Sequence, residues 1–321
     1  MIKNNPCRMI YRPSFIFKSG HFNTVFRTLF VFPKYKYFRK RINTPDNDFI
    51  DLDLACSGSK KLIIIVHGLE GSSSSKYVLS NVINFEKEQY DICAINLRGC
   101  SGEPNMLYSS YHSGKTDDLD LIINNIEVDY EEIYLLGYSL GGNLVTKYGG
   151  EKSDAINSKI KAIIAVSTPA DLMNSALEIS KPKNYLYNQL FLKSLKNKLR
   201  QKINKFPRCG ISHRDLENIS SLKQFDDIYT SAAHGFEDAE DYWKKNSCKQ
   251  FISGLKVPTL MINAIDDPFI GKKCYPYSEK NNFFTLETPR YGGHVGFNVS
   301  FDSLKNNWLE KRILHFIEKN N

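Results

Sequence analysis

I-Y-L-L-G-Y-S-L-G-G-N, residues 133–143, is the stretch that decides how this chain folds. Its apolar start predicts a buried strand, and the residues after Asn143 predict a helix. Between them, Gly137 and Gly141 flank Ser139, and glycine lets a strand and a helix approach closely around an exposed central hydroxyl. The N-terminus of the helix would favour a developing anion there. Because G-x-S-x-G arises by chance in about one chain in ten of this length, a tight turn without chemistry is the alternative reading.

Other apolar runs extend this pattern into a sheet. Continuous runs of this kind are typical of strands covered on both faces, as in a parallel sheet. Helical segments separate them, so we predict an α/β fold with a mostly parallel central sheet flanked by helices. The runs are residues 61–66, 91–97, 133–136, 161–166 and 258–263, with a short last strand at 282–286. Acidic and apolar residues alternate from Asp48 to Leu54, which predicts an edge strand.

The pattern changes between residues 169 and 254, where helical periodicity dominates and no strand-like run occurs. We interpret this region as a helical lid inserted into the sheet domain. The predicted organisation is therefore an N-terminal segment (1–42) packing on the core, a first core part (43–168), the lid (169–254) and a second core part (255–321). The basic run Lys193 to Lys205 within the lid is expected to be a solvated face, with a membrane or anionic-ligand role as the alternative. An amphipathic helix over 304–319 closes the chain.

The positive charge is concentrated at one end. Residues 1–42 hold ten Lys/Arg and no Asp/Glu, whereas the remaining chain has 33 basic and 35 acidic residues. Aromatic residues are interleaved with these charges, and we expect them to pack on the core while the basic residues face water. Weak peripheral contact of residues 1–42 with an anionic membrane surface is the alternative. No nucleic-acid-reading motif accompanies the charge, so a nucleic-acid partner is not expected.

Composition limits the class of protein. The 41% hydrophobic and 24% charged contents are those of a globular protein, and no apolar run reaches the length of a membrane span. Arg8, Arg12 and Lys18 interrupt every apolar run near the N-terminus, so no signal peptide is predicted. The seven cysteines are scattered, without C-x-x-C spacing, as in reduced thiols. We therefore expect a cytoplasmic protein.

Two late loops carry the residues that would complete a catalytic site with Ser139. His294 lies in the glycine-rich stretch 291–297, and Asp266 and Asp267 follow the strand at 258–263. In this arrangement Ser139 is the nucleophile, His294 the base and one Asp the residue that orients the imidazole. The apolar residues after Asp267 (Pro268-Phe269-Ile270) favour Asp267 over Asp266.

Two backbone N–H groups would bind the oxyanion of a tetrahedral intermediate. The turn His67-Gly68-Leu69-Glu70-Gly71 follows the strand at 61–66 and can present the N–H of Leu69. The N–H of Leu140, the residue after the nucleophile, would be its companion. His67 would support the turn, and Cys100 is a weak rival nucleophile. No His/Asp/Glu cluster has metal-ligand spacing, so neither a metal nor a cofactor is expected.

Together these motifs resemble the YheT-like family of α/β-hydrolases over nearly the whole chain. The matching stretches are S-G-H-F-N-T (19–24), H-G-L-E-G-S-S (67–73), N-L-R-G (96–99), Y-H-S-G (111–114), G-Y-S-L-G-G-N (137–143), D-D-P-F (266–269) and G-G-H-V-G-F (292–297), with the lid stretch 225–243. The resemblance implies an α/β-hydrolase fold and an ester-cleaving serine hydrolase with the triad Ser139, Asp267 and His294. Ile265 and the strongly basic N-terminus depart from the pattern.

The function predicted from the residues and the resemblance is hydrolysis of carboxylic esters through an acyl-serine intermediate. The substrate would be a small ester or lipid with a short or medium acyl chain. Transfer of the acyl group to an alcohol, or thioesterase or phospholipase activity, are alternatives that use the same triad. A non-catalytic binding protein is disfavoured because the triad is complete.

Overall fold

The computed structural model describes residues 9–302 and 308–320, and its centre is an eight-stranded sheet. The strand order is β1-β2-β4-β3-β5-β6-β7-β8; the pairs β1–β2 and β2–β4 are antiparallel and the others parallel. The strands are β1 Phe38–Asn43, β2 Phe49–Ala55, β3 Lys61–Val66, β4 Asp91–Asn96, β5 Glu132–Tyr138, β6 Ile160–Val166, β7 Thr259–Ile262 and β8 Phe284–Glu287. The predicted mostly parallel sheet is confirmed.

Helices cover both faces of the sheet. They are α1 Gly20–Phe30, α2 Lys76–Lys87, α3 Thr116–Ile126, α4 Leu140–Lys152, α5 Leu172–Ile179, α6 Tyr185–Lys205, α7 His213–Asn218, α8 Leu222–Phe225, α9 Ser231–His234, α10 Ala239–Asn246 and α11 Trp308–Lys319. Ile63 and Ile65 of β3 pack in one apolar cluster with residues of α2 and α11, whereas Leu62 and Ile64 pack in another with residues of α3 and α4. Burial on both faces explains the continuous apolar runs.

The edge strand differs from the sequence prediction. The acidic strand β2 lies inside the sheet, and β1, from the N-terminal segment, forms the edge. Arg39 lies opposite Asp53 and Arg41 opposite Asp51, each pair joined by two hydrogen bonds of 2.7–2.9 Å. The acidic residues therefore alternate because they meet arginines on the neighbouring strand, not because they face water.

The N-terminal segment also contributes helix α1. Phe17, Phe26 and Val31 form a small buried cluster around its inner side. The expectation that the aromatic residues of this segment pack on the core is wrong for four of them, which are 60–89% exposed: Phe15, Phe30, Phe32 and Phe38. Arg27 makes a buried ion pair of 3.1 Å with Glu310 of α11. Residues 1–8 of the predicted segment, and residues 303–307 at the start of the predicted closing helix, lie outside the described part of the chain.

Between β6 and β7 the chain forms α5 to α10, as expected for a helical insertion. The expected solvated face at 193–205 is wrong for Lys202, which is buried, whereas Lys198 is half-buried and Lys205 is exposed. Lys202 is buried and donates to Asn105 Oδ1 (2.6 Å), Lys205 donates to the Met106 carbonyl (3.0 Å), and Lys198 pairs with Glu70 (2.9 Å). These lysines lie along one side of α6 and attach it to the core.

Candidate active site

Ser139 lies in a strained turn between β5 and α4. Its φ of 52° and ψ of −118° are rarely adopted by residues other than glycine, and such strain is characteristic of functional positions. The turn needs its two glycines because a Cβ at Gly137 would meet the carbonyl of Gly141, and a Cβ at Gly141 would meet the carbonyl of Val66. The chain therefore turns tightly at the carboxyl end of the sheet and presents Ser139 there.

His294 lies against Asp267. The imidazole Nδ1 is 2.9 Å from Oδ2 and 3.1 Å from Oδ1 of the carboxylate, whose side chain is fully buried. Oδ1 also accepts the N–H of Phe269 (2.9 Å), and the Phe269 ring packs 4.5 Å from the imidazole. A histidine held in this way donates from Nδ1 and leaves Nε2 to accept a proton.

The neighbouring Asp266 has a different partner. Its Oδ1 accepts the backbone N–H of Gly293 at 2.9 Å, next to His294 in sequence. Burial raises the pKa of Asp266 to about 6. Of the two carboxylates considered from the sequence, Asp267 contacts the imidazole and Asp266 supports the loop that carries it.

The N-terminal helix holds the same loop, a role that the sequence reasoning did not assign to individual residues. Thr24 Oγ1 accepts the N–H of His294 (2.8 Å), and Asn23 Oδ1 accepts the N–H of Asn298 (3.0 Å). From the core side, Ser167 Oγ accepts the N–H of Val295 (2.9 Å). The only sequence signal for Asn23 and Thr24 was the S-G-H-F-N-T stretch shared with the resembled family.

The turn at 67–71 lies next to Ser139. A Cβ at Gly68 would lie 3.1 Å from Cβ of Ser139. Leu69 and Leu140 both line the cavity that contains Ser139 and His294. Within the described ranges, neither the Leu69 N–H nor the Leu140 N–H donates a hydrogen bond to the chain. Both donors are therefore available to an oxyanion.

His67 and Cys100 have structural surroundings. His67 is buried, with Nδ1 2.7 Å from the Gly68 carbonyl, and its Nε2 accepts the Leu97 N–H (3.2 Å). Burial lowers the pKa of His67 to about 4, so the ring is neutral near pH 7. Burial raises the pKa of the Cys100 thiol to about 11, which makes this residue a poor nucleophile.

Glu70 joins the turn at 67–71 to the helical insertion. Its carboxylate accepts hydrogen bonds from the hydroxyl of Tyr111 (2.7 Å), from Lys198 Nζ (2.9 Å) and from the hydroxyl of Ser194 (2.5 Å). Its own N–H donates to the Tyr111 hydroxyl (2.9 Å). Because Ser194 and Lys198 belong to α6, the position of that helix is tied to the backbone that carries the Leu69 N–H.

A cavity of about 130 Å³, partly open to solvent, lies beside Ser139 and His294. Ser139, His294 and Leu140 line it from the core. The helical insertion covers it with mainly apolar side chains, among them Ala176, Ile179, Phe191, Leu195, Leu222 and Phe225. Such a lining suits an aliphatic chain better than a charged ligand.

Asp226 also lies in the wall of this cavity. Its carboxylate accepts hydrogen bonds from the Thr230 hydroxyl (2.6 Å) and from Trp243 Nε1 (2.8 Å). No lysine or arginine of the described chain forms an ion pair with it. Burial raises the pKa of Asp226 to about 6. The folded state therefore carries an unneutralised buried charge above that pH.

Asp226→Asn should stabilise the protein in a pH-dependent way. The pKa of Asp226 in the folded state lies above 3.8, the ordinary pKa of an aspartate. The ionised carboxylate therefore destabilises the fold increasingly from about pH 4 to pH 6, and the destabilisation is complete above that range. We expect the variant to gain about 2–3 kcal/mol in free energy of unfolding at pH 8 and almost nothing at pH 4. Urea unfolding at both pH values measures this. Asp129→Asn, at an exposed position, should change neither value, and an equal gain at both pH values for Asp226→Asn would contradict the assignment.

Over residues 9–302 and 308–320, no group of three or more His, Cys, Asp or Glu is arranged to hold a metal ion. In the same ranges, no helix combines the length and the apolar character needed to cross a bilayer.

The chain is similar to known proteins in sequence and in fold. Residues 61–295 match the family model described as the alpha/beta hydrolase fold. The chain is 31% identical over 306 residues to YheT of Escherichia coli (strain K12), covering 92% of this chain and 89% of YheT. It is 30% identical over 296 residues to a monoacylglycerol lipase of Saccharomyces cerevisiae, covering 89% of this chain and 63% of the lipase.

Among solved structures, the esterase Pf2001 of Pyrococcus furiosus is similar to this fold, with a TM-score of 0.57. The alignment covers 89% of this chain and 91% of the esterase, at 16% sequence identity. At this identity the similarity concerns the fold alone.

Proposed function

The chain belongs to the α/β-hydrolase family, in its YheT-like group, and from this premise we propose that it hydrolyses carboxylic esters through an acyl-serine intermediate. Its relatives include a lipase, and a fold neighbour is an esterase. The observation that carries the proposal is that Ser139 and His294 line the same largely apolar cavity, and that the His294 imidazole is hydrogen-bonded to Asp267.

In the proposed first step, Ser139 Oγ attacks the ester carbonyl while His294 Nε2 takes its proton. Asp267, hydrogen-bonded to Nδ1, stabilises the imidazolium that forms. The oxyanion would be bound by the N–H groups of Leu69 and Leu140, which have no partner in the described chain. The C–O bond to the alcohol then breaks as His294 gives the proton to the leaving oxygen, which leaves an acyl-Ser139.

In the second step, water replaces the alcohol. His294 takes a proton from the water as its oxygen attacks the acyl carbon, and returns it to Ser139 Oγ when the acid leaves. The chemistry uses only groups of the chain itself. The cavity is lined by apolar side chains of α5, α6 and α8, so the acyl chain is the part of the substrate that would fill it. The helical insertion would then act as a lid over the cavity.

Hydrolysis of p-nitrophenyl esters from acetate to palmitate tests this proposal. We expect kcat/KM to peak at a medium chain length, because the cavity has a limited apolar volume. Repeating the assay with added ethanol and analysing the products distinguishes hydrolysis from acyl transfer. Formation of the ethyl ester well beyond simple partition between water and ethanol would overturn the hydrolase proposal in favour of a transferase, and absence of turnover on every ester would contradict both.

A further inference from the structure

Helices α5 and α6 expose an unusual set of large apolar side chains. Their exposed fractions range from 38% to 75%, and the residues are Met173, Leu177, Tyr185, Leu186 and Leu190. Met173 and Leu177 are four residues apart on α5, as are Leu186 and Leu190 on α6, so each pair lies on one side of its helix. We call these five residues the α5–α6 face. Exposed large apolar side chains grouped on two neighbouring helices suit an interaction surface.

Other sides of the same two helices are buried against the cavity. Ala176 and Ile179 of α5, and Phe191 and Leu195 of α6, line the cavity. A helix that buries one apolar side needs only polar residues on the other in order to be stable. The exposed leucines therefore do not contribute to the core and call for a separate explanation.

Lysines surround the α5–α6 face. Lys181, Lys183 and Lys193 are exposed on or between the two helices, and Lys272 and Lys273 are exposed beside the start of α5, where Asn174 Oδ1 accepts the Lys273 N–H (2.9 Å). The nearby carboxylates are Glu178, paired with Lys181 (2.5 Å) and Lys183 (2.8 Å), and Asp171, which caps α5. Five lysines against two carboxylates leave this surface positive.

The face is also close to the candidate active site. The ring of Tyr187, next to Leu186 in sequence, packs 4.7 Å from the Phe269 ring, and Phe269 packs 4.5 Å from the imidazole of His294. Only the rings of Tyr187 and Phe269 would separate a surface bound at Leu186 from His294, the residue proposed as the base.

We propose that the α5–α6 face docks the protein on an anionic lipid bilayer, with Leu186 and Leu190 entering the acyl-chain boundary and the surrounding lysines against lipid phosphates. The combination of exposed aliphatic side chains with a lysine rim matches the chemistry of such a surface. This goes beyond the proposed function, because binding requires no ester cleavage. It places the contact on the helical insertion. The N-terminal segment also exposes apolar side chains among basic residues, among them Phe15, Phe32 and Phe38, and the charge-reversal variant described below tests that alternative site.

Flotation with vesicles tests the proposal, using phosphatidylcholine alone and phosphatidylcholine mixed with phosphatidylglycerol. The wild type should bind the mixed vesicles, less so at high salt, and bind the neutral vesicles weakly. The double variant Leu186→Ser/Leu190→Ser should lose about tenfold or more in affinity, because each leucine contributes apolar burial. Ser139→Ala should bind like the wild type, so the result does not depend on catalysis.

Two variants serve as matched controls. Val128→Ser removes a similarly exposed aliphatic residue (79%) just before β5. Ser139 follows the other end of this strand, so the variant should leave binding unchanged. Lys34→Glu/Lys36→Glu reverses charge in the N-terminal segment. Thermal unfolding of each variant, together with its rate on water-soluble p-nitrophenyl butyrate where the wild type turns that ester over, establishes that it is folded.

Three results would overturn the proposal. The first is a wild type that binds neither kind of vesicle. The second is a Leu186→Ser/Leu190→Ser variant that binds as well as the wild type. The third is loss of binding on Lys34→Glu/Lys36→Glu alone, which would place the contact in the N-terminal segment.

Discussion

Replacing Ser139 with alanine is expected to lower kcat/KM for p-nitrophenyl butyrate by about 10⁴-fold or more. Without Oγ no acyl-enzyme forms, and only unassisted attack by water next to the Leu69 and Leu140 N–H groups remains. The loss should appear in kcat rather than in KM, because the hydroxyl bonds covalently to the substrate only as the reaction proceeds. Steady-state kinetics over the responsive acyl chain lengths measures it.

The Ser139→Ala variant should fold normally. Alanine keeps the positive φ of 52° at this position, so the strain of the turn is nearly unchanged. Its thermal unfolding transition should therefore lie close to that of the wild type. A fluorophosphonate probe should label the wild type and not the variant. Retention of more than about one per cent of the wild-type kcat would contradict the role proposed for Ser139.

The central part of the fold could be predicted from the sequence because its signals are local. A continuous apolar run such as 61–66 identifies a strand covered on both faces, whichever strands lie beside it. Likewise, the glycines at 137 and 141 indicated a tight strand-to-helix turn, and in the structure neither could carry a Cβ without meeting backbone.

Features that depend on distant partners were missed or misread. The alternation in β2 looked like a water-facing edge because its partners, Arg39 and Arg41, belong to a segment interpreted only as a packing layer. Thr24 and His294 are separated by 270 positions, and no local pattern connects them. The lysines of α6 have the spacing of a solvated face, and only the position of the loop at 100–108 decides that Lys202 is buried.

The choice between the two aspartates concerns the third member of the proposed triad. Asp267→Asn is expected to lower kcat by about 10³–10⁴-fold. The Asn amide presents either an N–H group or a weaker acceptor to His294 Nδ1. It therefore disfavours the tautomer in which Nε2 can accept a proton, and it does not stabilise the imidazolium as a carboxylate does. Asp266→Asn is the matched control, and its effect should be less than about tenfold, because the Asn Oδ1 still accepts the Gly293 N–H.

The relative size of the two losses decides between the two roles. A larger loss of kcat for Asp266→Asn than for Asp267→Asn would contradict the assignment. The loop hydrogen bond to Gly293, rather than the carboxylate on Nδ1, would then be what the reaction requires.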